Sequence, residues 1–200
     1  MNFDDAYDWI ESEIAGRIAT PRESCRVLMR HIQELAGDHC EIGALYGGSA
    51  ILTALLKKDG VIYVIDPVDE HGYYGRNDQL IDGKPSRPDS RKLRRNFRHF
   101  GVDHRIVHLN NFSDPFPIKG VTFGSAFVDG DHTFEGAYQD FQNLQHLVRG
   151  PIIYDNADDL HEGVQKALKR AEETTDWAVV ELKENIAVLM SAKYMIEHRS

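Results

Sequence analysis

The chain is poor in cysteine, in basic charge and in long apolar runs, and each shortage excludes a class of protein. Its two cysteines, Cys25 and Cys40, are too few for a disulfide framework and are typical of a reducing compartment. No apolar run approaches the ~20 residues that span a bilayer. The formal net charge is −9, whereas general nucleic-acid binding depends on basic surface. We therefore expect no membrane segment and no general nucleic-acid binding.

The N-terminal residues 1–5 are acidic, and they lack the basic region and the apolar core of a signal peptide. We therefore expect a cytoplasmic protein. The 200 residues, 42% of them hydrophobic, suffice for one well-packed core and are too few for two full domains. The sequence thus predicts a single domain over residues 1–200.

Two acidic turns follow apolar runs that have the composition of buried parallel strands. Asp129 follows the first run, and Asp155 and Asn156 follow the second, which covers residues 151–154. The carboxyl ends of parallel strands meet at one edge of an open sheet, where ligands bind. The side-chain oxygens of Asp129, Asp155 and Asn156 would then converge, and oxygen ligands are those that Mg²⁺ prefers. The pattern predicts a site for Mg²⁺ or another divalent cation.

A glycine-rich turn joins the strand that contains Glu41 to a helix predicted over residues 50–58. Gly43 and Gly47 lie in this turn, and glycines stand where the backbone turns tightly or approaches a ligand. The helix N-terminus favours a carboxylate or a phosphate. The spacing does not fit the dinucleotide motif G-x-G-x-x-G, because its second glycine would fall at Leu45. A nicotinamide cofactor is therefore disfavoured.

The next predicted strand, residues 61–65, ends in Asp66. An acid about 20 residues past a glycine turn is positioned to accept hydrogen bonds from ribose hydroxyls. The ligand implied has a ribose and an anionic group but needs no pyrophosphate site. S-adenosylmethionine meets that description.

Taken together, these motifs resemble the divalent-metal-dependent class I O-methyltransferases, which include the catechol and caffeoyl-CoA enzymes, and they are similar to the macrolide sugar O-methyltransferases. The resemblance spans residues 41–156 and rests on four motifs in the family's order: residues 41–49, Asp66, residues 129–132 and residues 155–156. It implies an α/β fold with a Rossmann-like, doubly wound methyltransferase sheet. That sheet is mostly parallel, with an antiparallel C-terminal hairpin strand, and two extra helices precede it.

The resemblance also implies roles for individual residues. Glu41, Gly43 and Ser49 would contact the methionine end of S-adenosylmethionine, Asp66 would bind the ribose, and the segment from Asn111 to Ser113 would lie beside the adenine. The complete set of cofactor-binding positions implied is Glu41, Gly43, Gly47, Ser49, Asp66, Asn111 and Asp129. The metal ligands implied are Asp129, Asp155 and Asn156.

One position departs from the family. Relatives of the catechol enzyme carry a lysine base three residues after the first metal aspartate, where this chain has His132. Histidine titrates near pH ~6.5 and can take a proton from a metal-bound hydroxyl. The implied reaction is an in-line attack of that oxygen on the sulfonium methyl group, with His132 as the catalytic base. The acceptor implied is a hydroxylated small molecule, such as a sugar, a phenol or a natural product.

Simpler interpretations of the same residues stay open. Asp129 can be a turn former whose side chain bonds local backbone. Asp155 and Asn156 can begin a connection to the helix predicted over residues 158–174. His132 can be a helix residue without chemistry. Two other functions remain: a metal-independent methyltransferase, and a non-catalytic Rossmann-like protein that binds a nucleoside or a partner. A metal-dependent hydrolase is a third, less favoured alternative, because it gives the glycine turn and Asp66 no role.

Three further segments carry expectations. Residues 84–99 are rich in arginine and lysine, and a helix from about Asp89 is predicted either to expose a solvated basic face or to bind an anionic substrate. Residues 67–88 are long for an α/β connection, and we predict a substrate lid there. Residues 1–37 are predicted to form a helical cap, with a capping box that begins at Thr20. In the families that the chain resembles, such helices often cover the site or form a homodimer interface.

Overall fold

The computed structural model describes residues 1–69, 79–81, 84–86 and 88–198. Its helices are α1 (Phe3–Glu13), α2 (Arg22–Ile32), α3 (Gly48–Leu56), α4 (Ser90–His99), α5 (Phe134–Leu144), α6 (Glu162–Thr174) and α7 (Ala192–Glu197). Its strands are β1 (His39–Ile42), β2 (Ile62–Ile65), β3 (Gln79–Ile81), β4 (Lys84–Ser86), β5 (Ile106–Leu109), β6 (Ser125–Val128), β7 (Ile152–Tyr154), β8 (Trp177–Lys183) and β9 (Ile186–Ser191).

A seven-stranded sheet organises the fold, with the strand order β5-β2-β1-β6-β7-β9-β8. The strands from β5 to β7 are parallel, whereas β9 is antiparallel to both β7 and β8. The chain order reverses next to β1, which pairs with β2 on one side and with β6 on the other. Ligands bind at such a reversal in open α/β sheets. This topology confirms the predicted Rossmann-like methyltransferase sheet with its antiparallel C-terminal hairpin.

Helices cover both faces of the sheet, which explains why its central strands are almost continuously apolar. One core joins α1, α2, α3 and α4 to one face, and a second core joins α5 and α6 to the other. Successive side chains of β7 point to opposite faces of the sheet, since Ile153 packs in the first core while Ile152 and Tyr154 pack in the second. The packing of both helical layers therefore determines the positions of the loops at the carboxyl edge of the sheet.

The two N-terminal helices are confirmed, but the capping box is wrong. Helix α2 has Pro21 at its N-cap position, and no side chain caps it. The backbone oxygen of Thr20 instead accepts hydrogen bonds from the hydroxyl of Tyr7 at 3.4 Å and from the thiol of Cys25 at 3.5 Å. Thr20 is thus held by packing of α1 against the start of α2.

The basic helix α4 begins where the sequence predicts, because the Asp89 carboxylate accepts hydrogen bonds from the amides of Arg91 and Lys92. Its apolar side chains Leu93 and Phe97 are buried. The arginines of the helix are exposed, which agrees with the prediction of a solvated basic face.

The predicted lid over residues 67–88 lies largely outside the described residues, including its aromatic segment 71–77. Within it, β3 and β4 form an antiparallel pair. Helix α6 begins later than predicted, at Glu162, because the Asp158 carboxylate accepts hydrogen bonds from the Leu160 amide and the His161 ring and closes a turn first. Among the residues described, no helix is long and apolar enough to cross a membrane.

Candidate active site

The glycine turn between β1 and α3 brings two loops of the sheet edge into direct contact. Gly43 has φ +84°, and a Cβ atom there would lie 2.0 Å from the backbone oxygen of Asp129. Gly47, at the N-cap of α3, has φ +85°, and a Cβ atom there would lie 2.6 Å from the ring of Phe97. Only glycine adopts such angles at low cost. Both glycines are therefore required by backbone geometry, as the sequence indicates.

Glu41 is a buried acid at the end of β1. Its Oε1 accepts a hydrogen bond from the Ser49 hydroxyl at 2.7 Å, and its Oε2 is buried with no hydrogen-bond partner in the described part of the chain. Burial raises the pKa of Glu41 to about 8, although the bond from Ser49 opposes the shift. A buried carboxyl oxygen without a partner is costly, and a ligand donor would satisfy it.

Asp66, just beyond β2, faces the same turn. Its Oδ2 accepts hydrogen bonds from the amides of Ala44 at 2.6 Å and Leu45 at 2.9 Å. Asp66 is 1% exposed, so its carboxylate is held rigidly between the first two loops of the sheet edge. The residue thus shapes the turn in addition to lining the cleft.

Two adjoining cavities open at the carboxyl edge of the sheet, and Gly43, Asp66 and Asp131 line both of them. The first has a volume of about 400 Å³ and extends between Pro67 and the loop after β5 toward α5. The second has a volume of about 430 Å³ and extends past Ser49 to Asp129 and His132. Together they form a cleft at the strand-order reversal.

A family model described as a methyltransferase domain matches residues 40–157, which is more than half of the chain. The chain belongs to this methyltransferase family. The matched segment contains the glycine turn, Asp66 and both acidic turns, and Gly43, Asp66 and Asp129 within it line the cleft. No curated protein has a sequence that matches this methyltransferase significantly.

Solved structures share its fold at low sequence identity. The O-methyltransferase TomG from Streptomyces achromogenes, solved with S-adenosylmethionine, is 16% identical with a TM-score of 0.61 over 94% of this chain and 88% of that chain. An O-methyltransferase from Bacillus cereus, solved with S-adenosylhomocysteine, is 14% identical with a TM-score of 0.60 over 94% and 90%. A third O-methyltransferase, from Thermotoga maritima, is 11% identical with a TM-score of 0.64 over 93% and 71%.

The two acidic turns of the methyltransferase lie side by side, because the Asp155 amide donates to the Val128 oxygen across β6 and β7. Asp155 is buried, and burial together with the nearby charge of Asp129 raises its pKa to about 7. Asn156 adopts a left-handed conformation with φ +56°, and its amide donates to Asp155 Oδ1 at 2.9 Å. Across residues 1–69 and 88–198, no three His, Cys, Asp or Glu side chains form a group that could hold a metal.

His132 lines the second cavity, with its Nε2 atom 3.4 Å from Asp129 Oδ1. This contact is the main reason that the pKa of His132 is raised, and burial opposes it. The ring of His161 lies against it, with 5.0 Å between the ring centroids, and His161 is itself 2.8 Å from Asp158. His132 therefore stands at the cleft wall as part of a chain of polar groups.

Asn111 is placed less directly than the sequence suggests. It is exposed, and its side-chain oxygen accepts a hydrogen bond from the Phe112 amide at 3.0 Å. Phe112 and Ser113, the other two residues of the segment predicted to lie beside the adenine, line the first cavity, and so does Asp114.

Sequence reasoning missed several residues of the methyltransferase cleft, among them Arg17 and Asp140. Arg17, between α1 and α2, lines the second cavity, and nothing in its local sequence marks it. Asp140 lines the first cavity and is buried in α5. A signal for Asp140 was present, because it occupies the buried stripe of Ala137, Phe141 and Leu144, where an apolar residue is expected.

Proposed function

We propose that this methyltransferase transfers the methyl group of S-adenosylmethionine to a hydroxyl group of a small molecule. The observation that carries the proposal is the shared cleft: Gly43, Ser49, Asp66 and His132 line it, and the buried Glu41 is hydrogen-bonded to Ser49. S-adenosylmethionine and S-adenosylhomocysteine are bound in two of the related structures, which supports the same cofactor here.

The residues present fit this cofactor. Burial raises the pKa of Glu41 to about 8, and an ammonium group at the methionine end would favour its ionised form, whose otherwise unpartnered Oε2 would accept a hydrogen bond from that group. Gly43 lets the glycine turn lie directly against the backbone of Asp129, which brings together two of the loops that line the cleft. Asp66 lines both cavities and lies where they meet. The ribose of the cofactor would bind there, between its methionine part and its adenine. When bound, S-adenosylmethionine supplies a sulfonium methyl group that an oxygen nucleophile can displace.

His132 is the base in this proposal. Its Nε2 hydrogen can be donated to Asp129, and the Nδ1 atom then holds the lone pair that takes the proton of the acceptor hydroxyl. The Asp129 carboxylate stabilises the charged imidazole that results. Arg17 and Ala19 line the second cavity together with His132, and they would help to orient the acceptor there.

The proposal also includes a divalent cation that takes part in the reaction. Asp129, Asp155 and Asn156 would hold it, and a bound cation would lower the pKa of the acceptor hydroxyl. The support is electrostatic: the charge of Asp129 helps to raise the pKa of the buried Asp155, and a cation would allow both acids to ionise.

A metal-independent methyltransferase is the second candidate. Asp129 lies within hydrogen-bonding distance of His132, and two carboxylates with one amide are a small donor set. In this case Asp129 orients the catalytic base His132, and Asp155 has only a structural role in the neighbouring turn.

Methyl transfer from isotope-labelled S-adenosylmethionine to a panel of sugars, phenols and polyketide alcohols tests the proposal. Each acceptor is assayed with EDTA and again with excess Mg²⁺, on wild type and on Asp155→Asn. Transfer that needs Mg²⁺ and is lost in Asp155→Asn supports the cation, whereas transfer unchanged by EDTA selects the metal-independent reaction. Cofactor binding without transfer to any hydroxyl would contradict O-methylation.

A further inference from the structure

The basic helix α4 forms a pocket with β5, the strand at one edge of the seven-stranded sheet. This edge pocket has a volume of about 280 Å³, and its described lining residues are Arg94, Phe97, Arg98, Asp103, Ile106 and His108. None of these six residues lines either cavity of the cleft. The edge pocket is therefore a separate feature of the surface, which the proposed reaction does not use.

Two arginines stand together at the edge pocket. Arg94 and Arg98 are four residues apart in α4, so they lie on the same face of the helix, where like charges repel each other. Another cation of the helix has an acid partner, since His99 Nε2 lies 2.6 Å from Glu13 Oε2. Among the residues that the structure describes, neither arginine is within salt-bridge distance of an acid. An anion bound between Arg94 and Arg98 would remove their repulsion.

His108 adds a third basic side chain to the edge pocket. Its Nε2 atom lies 3.2 Å from the backbone oxygen of Asp66. Burial lowers the pKa of His108, and the charge of Arg94 adds to this effect, whereas Asp66 and Asp69 oppose it. A bound anion would favour the protonated imidazole, because opposite charges stabilise each other at short range. The edge pocket can thus offer an anion three positive groups.

The other walls of the edge pocket restrict the kind of anion. Phe97 is buried and Ile106 is half-buried, and both contribute apolar surface. The exposed carboxylate of Asp103 would repel a second negative group but can accept hydrogen bonds from hydroxyl groups. A long polyanion is disfavoured, because the pocket is small and the chain has a net charge of −9. The chemistry suits one phosphate group on a small body that carries hydroxyl groups.

We propose that the edge pocket binds a phosphorylated small molecule with hydroxyl groups, such as a sugar phosphate. Arg94 and Arg98 bind the phosphate group, and Asp103 accepts a hydrogen bond from a hydroxyl group of the ligand. Guanidinium groups suit phosphate because they donate two parallel hydrogen bonds to its oxygens. The inference does not depend on the proposed function, since the edge pocket and the cleft have no lining residue in common.

Calorimetric titration of glucose 6-phosphate into the ligand-free protein at constant ionic strength tests this. Wild type is expected to bind it with a dissociation constant on the order of 0.1–1 mM and to show no binding of glucose. Arg94→Gln and Arg98→Gln should each weaken binding by at least about tenfold, because each loses a charge-assisted hydrogen bond. Asp103→Ala should weaken binding of glucose 6-phosphate without weakening that of inorganic phosphate.

Two matched controls locate the binding. Arg95→Gln removes the same charge from an exposed position of α4 outside the edge pocket, and Arg17→Gln removes it from the cleft. Both should bind glucose 6-phosphate within about twofold of wild type, since exposed charges at a distance are screened. An equal loss in Arg95→Gln would assign the affinity to the general charge of the helix, and a loss in Arg17→Gln would assign it to the cleft. Either result, or no binding by wild type, would refute the edge pocket as a phosphate site.

Discussion

Glu41 and Ser49 are joined by a hydrogen bond of 2.7 Å between Oε1 and the hydroxyl group, which ties the end of β1 to the first turn of α3. The bond satisfies only one of the two buried carboxyl oxygens. The turn therefore retains a polar group that a ligand can satisfy, at some cost to the stability of the free protein.

Glu41→Gln is predicted to stabilise the ligand-free protein at alkaline pH. The folded protein keeps the Glu41 proton up to about pH 8, whereas the unfolded chain loses it near the ordinary value of 4.5. Between those values the folded state binds more protons, so its stability falls as the pH rises. At pH 8 the variant should exceed wild type in free energy of unfolding by on the order of 1–3 kcal/mol. Urea unfolding at pH 5 and pH 8 measures this, and a difference independent of pH would show the account of Glu41 to be wrong.

Gly43→Ala is predicted to be far more damaging than Gly101→Ala. Both glycines have positive φ, at +84° and +68°, but a Cβ atom at Gly101 meets nothing within 4 Å. Gly101→Ala should therefore cost only the backbone strain of about 1 kcal/mol. Gly43→Ala adds a clash with Asp129 and should cost more than about 3 kcal/mol. Equal unfolding midpoints for the two variants in urea would contradict the close approach of the two loops.

His132→Ala is predicted to lower kcat by roughly 10²- to 10⁴-fold, the usual contribution of a general base. Affinity for S-adenosylmethionine should change little, because the residue faces the acceptor cavity. His104→Ala, at an exposed position outside the cleft, is the matched control and should keep wild-type kcat. A His132→Ala variant that retains full kcat would mean that another group takes the proton.

His39→Gln is predicted to reduce the sensitivity of the fold to acid. His39 is fully buried, its Nδ1 lies 2.8 Å from the Ser125 hydroxyl, and burial, aided by the charge of Lys57, lowers its pKa to about 3. The unfolded chain protonates this histidine below the ordinary value of 6.5, so stability falls as the pH drops from there toward 3. The loss from His39 is about 1.4 kcal/mol for each pH unit.

Urea unfolding of wild type and His39→Gln at pH 7 and pH 5 tests this. Glu41, Asp140 and Asp155 act in the opposite direction, but they are the same in both proteins, so the comparison isolates His39. Identical losses of stability in the two proteins would contradict a neutral, buried His39.

Local patterns were sufficient to predict most of the sheet and its edge. Apolar runs ending in Asp66, Asp129 and Asp155 mark parallel strands, and the carboxyl ends of such strands must meet. The pair β3 and β4 was not predicted, because its strands have three residues each and Pro85 interrupts the second. The early turn before α6 was missed as well, since Asp158 is equally suitable as a helix cap and as a turn former.

The residues that sequence reasoning missed in the cleft depend on contacts between distant segments. Arg17 reaches the second cavity only because α1 and α3 pack together, and Asp140 reaches the first only because α5 lies beside the loop after β5. In the sequence, Asp140 can be recognised as an acid at a position where the helical period predicts an apolar side chain.

Calorimetric titration of S-adenosylmethionine into wild type, Asp66→Asn and Asp66→Ala tests the central claim most directly. Asparagine retains an oxygen that can accept from the Ala44 and Leu45 amides, whereas alanine removes it, so the pair separates the shape of the turn from ligand binding. We predict a dissociation constant on the order of micromolar for wild type, about tenfold weaker binding by Asp66→Asn, and loss of binding by Asp66→Ala. Folded wild-type protein that binds no S-adenosylmethionine would contradict the account.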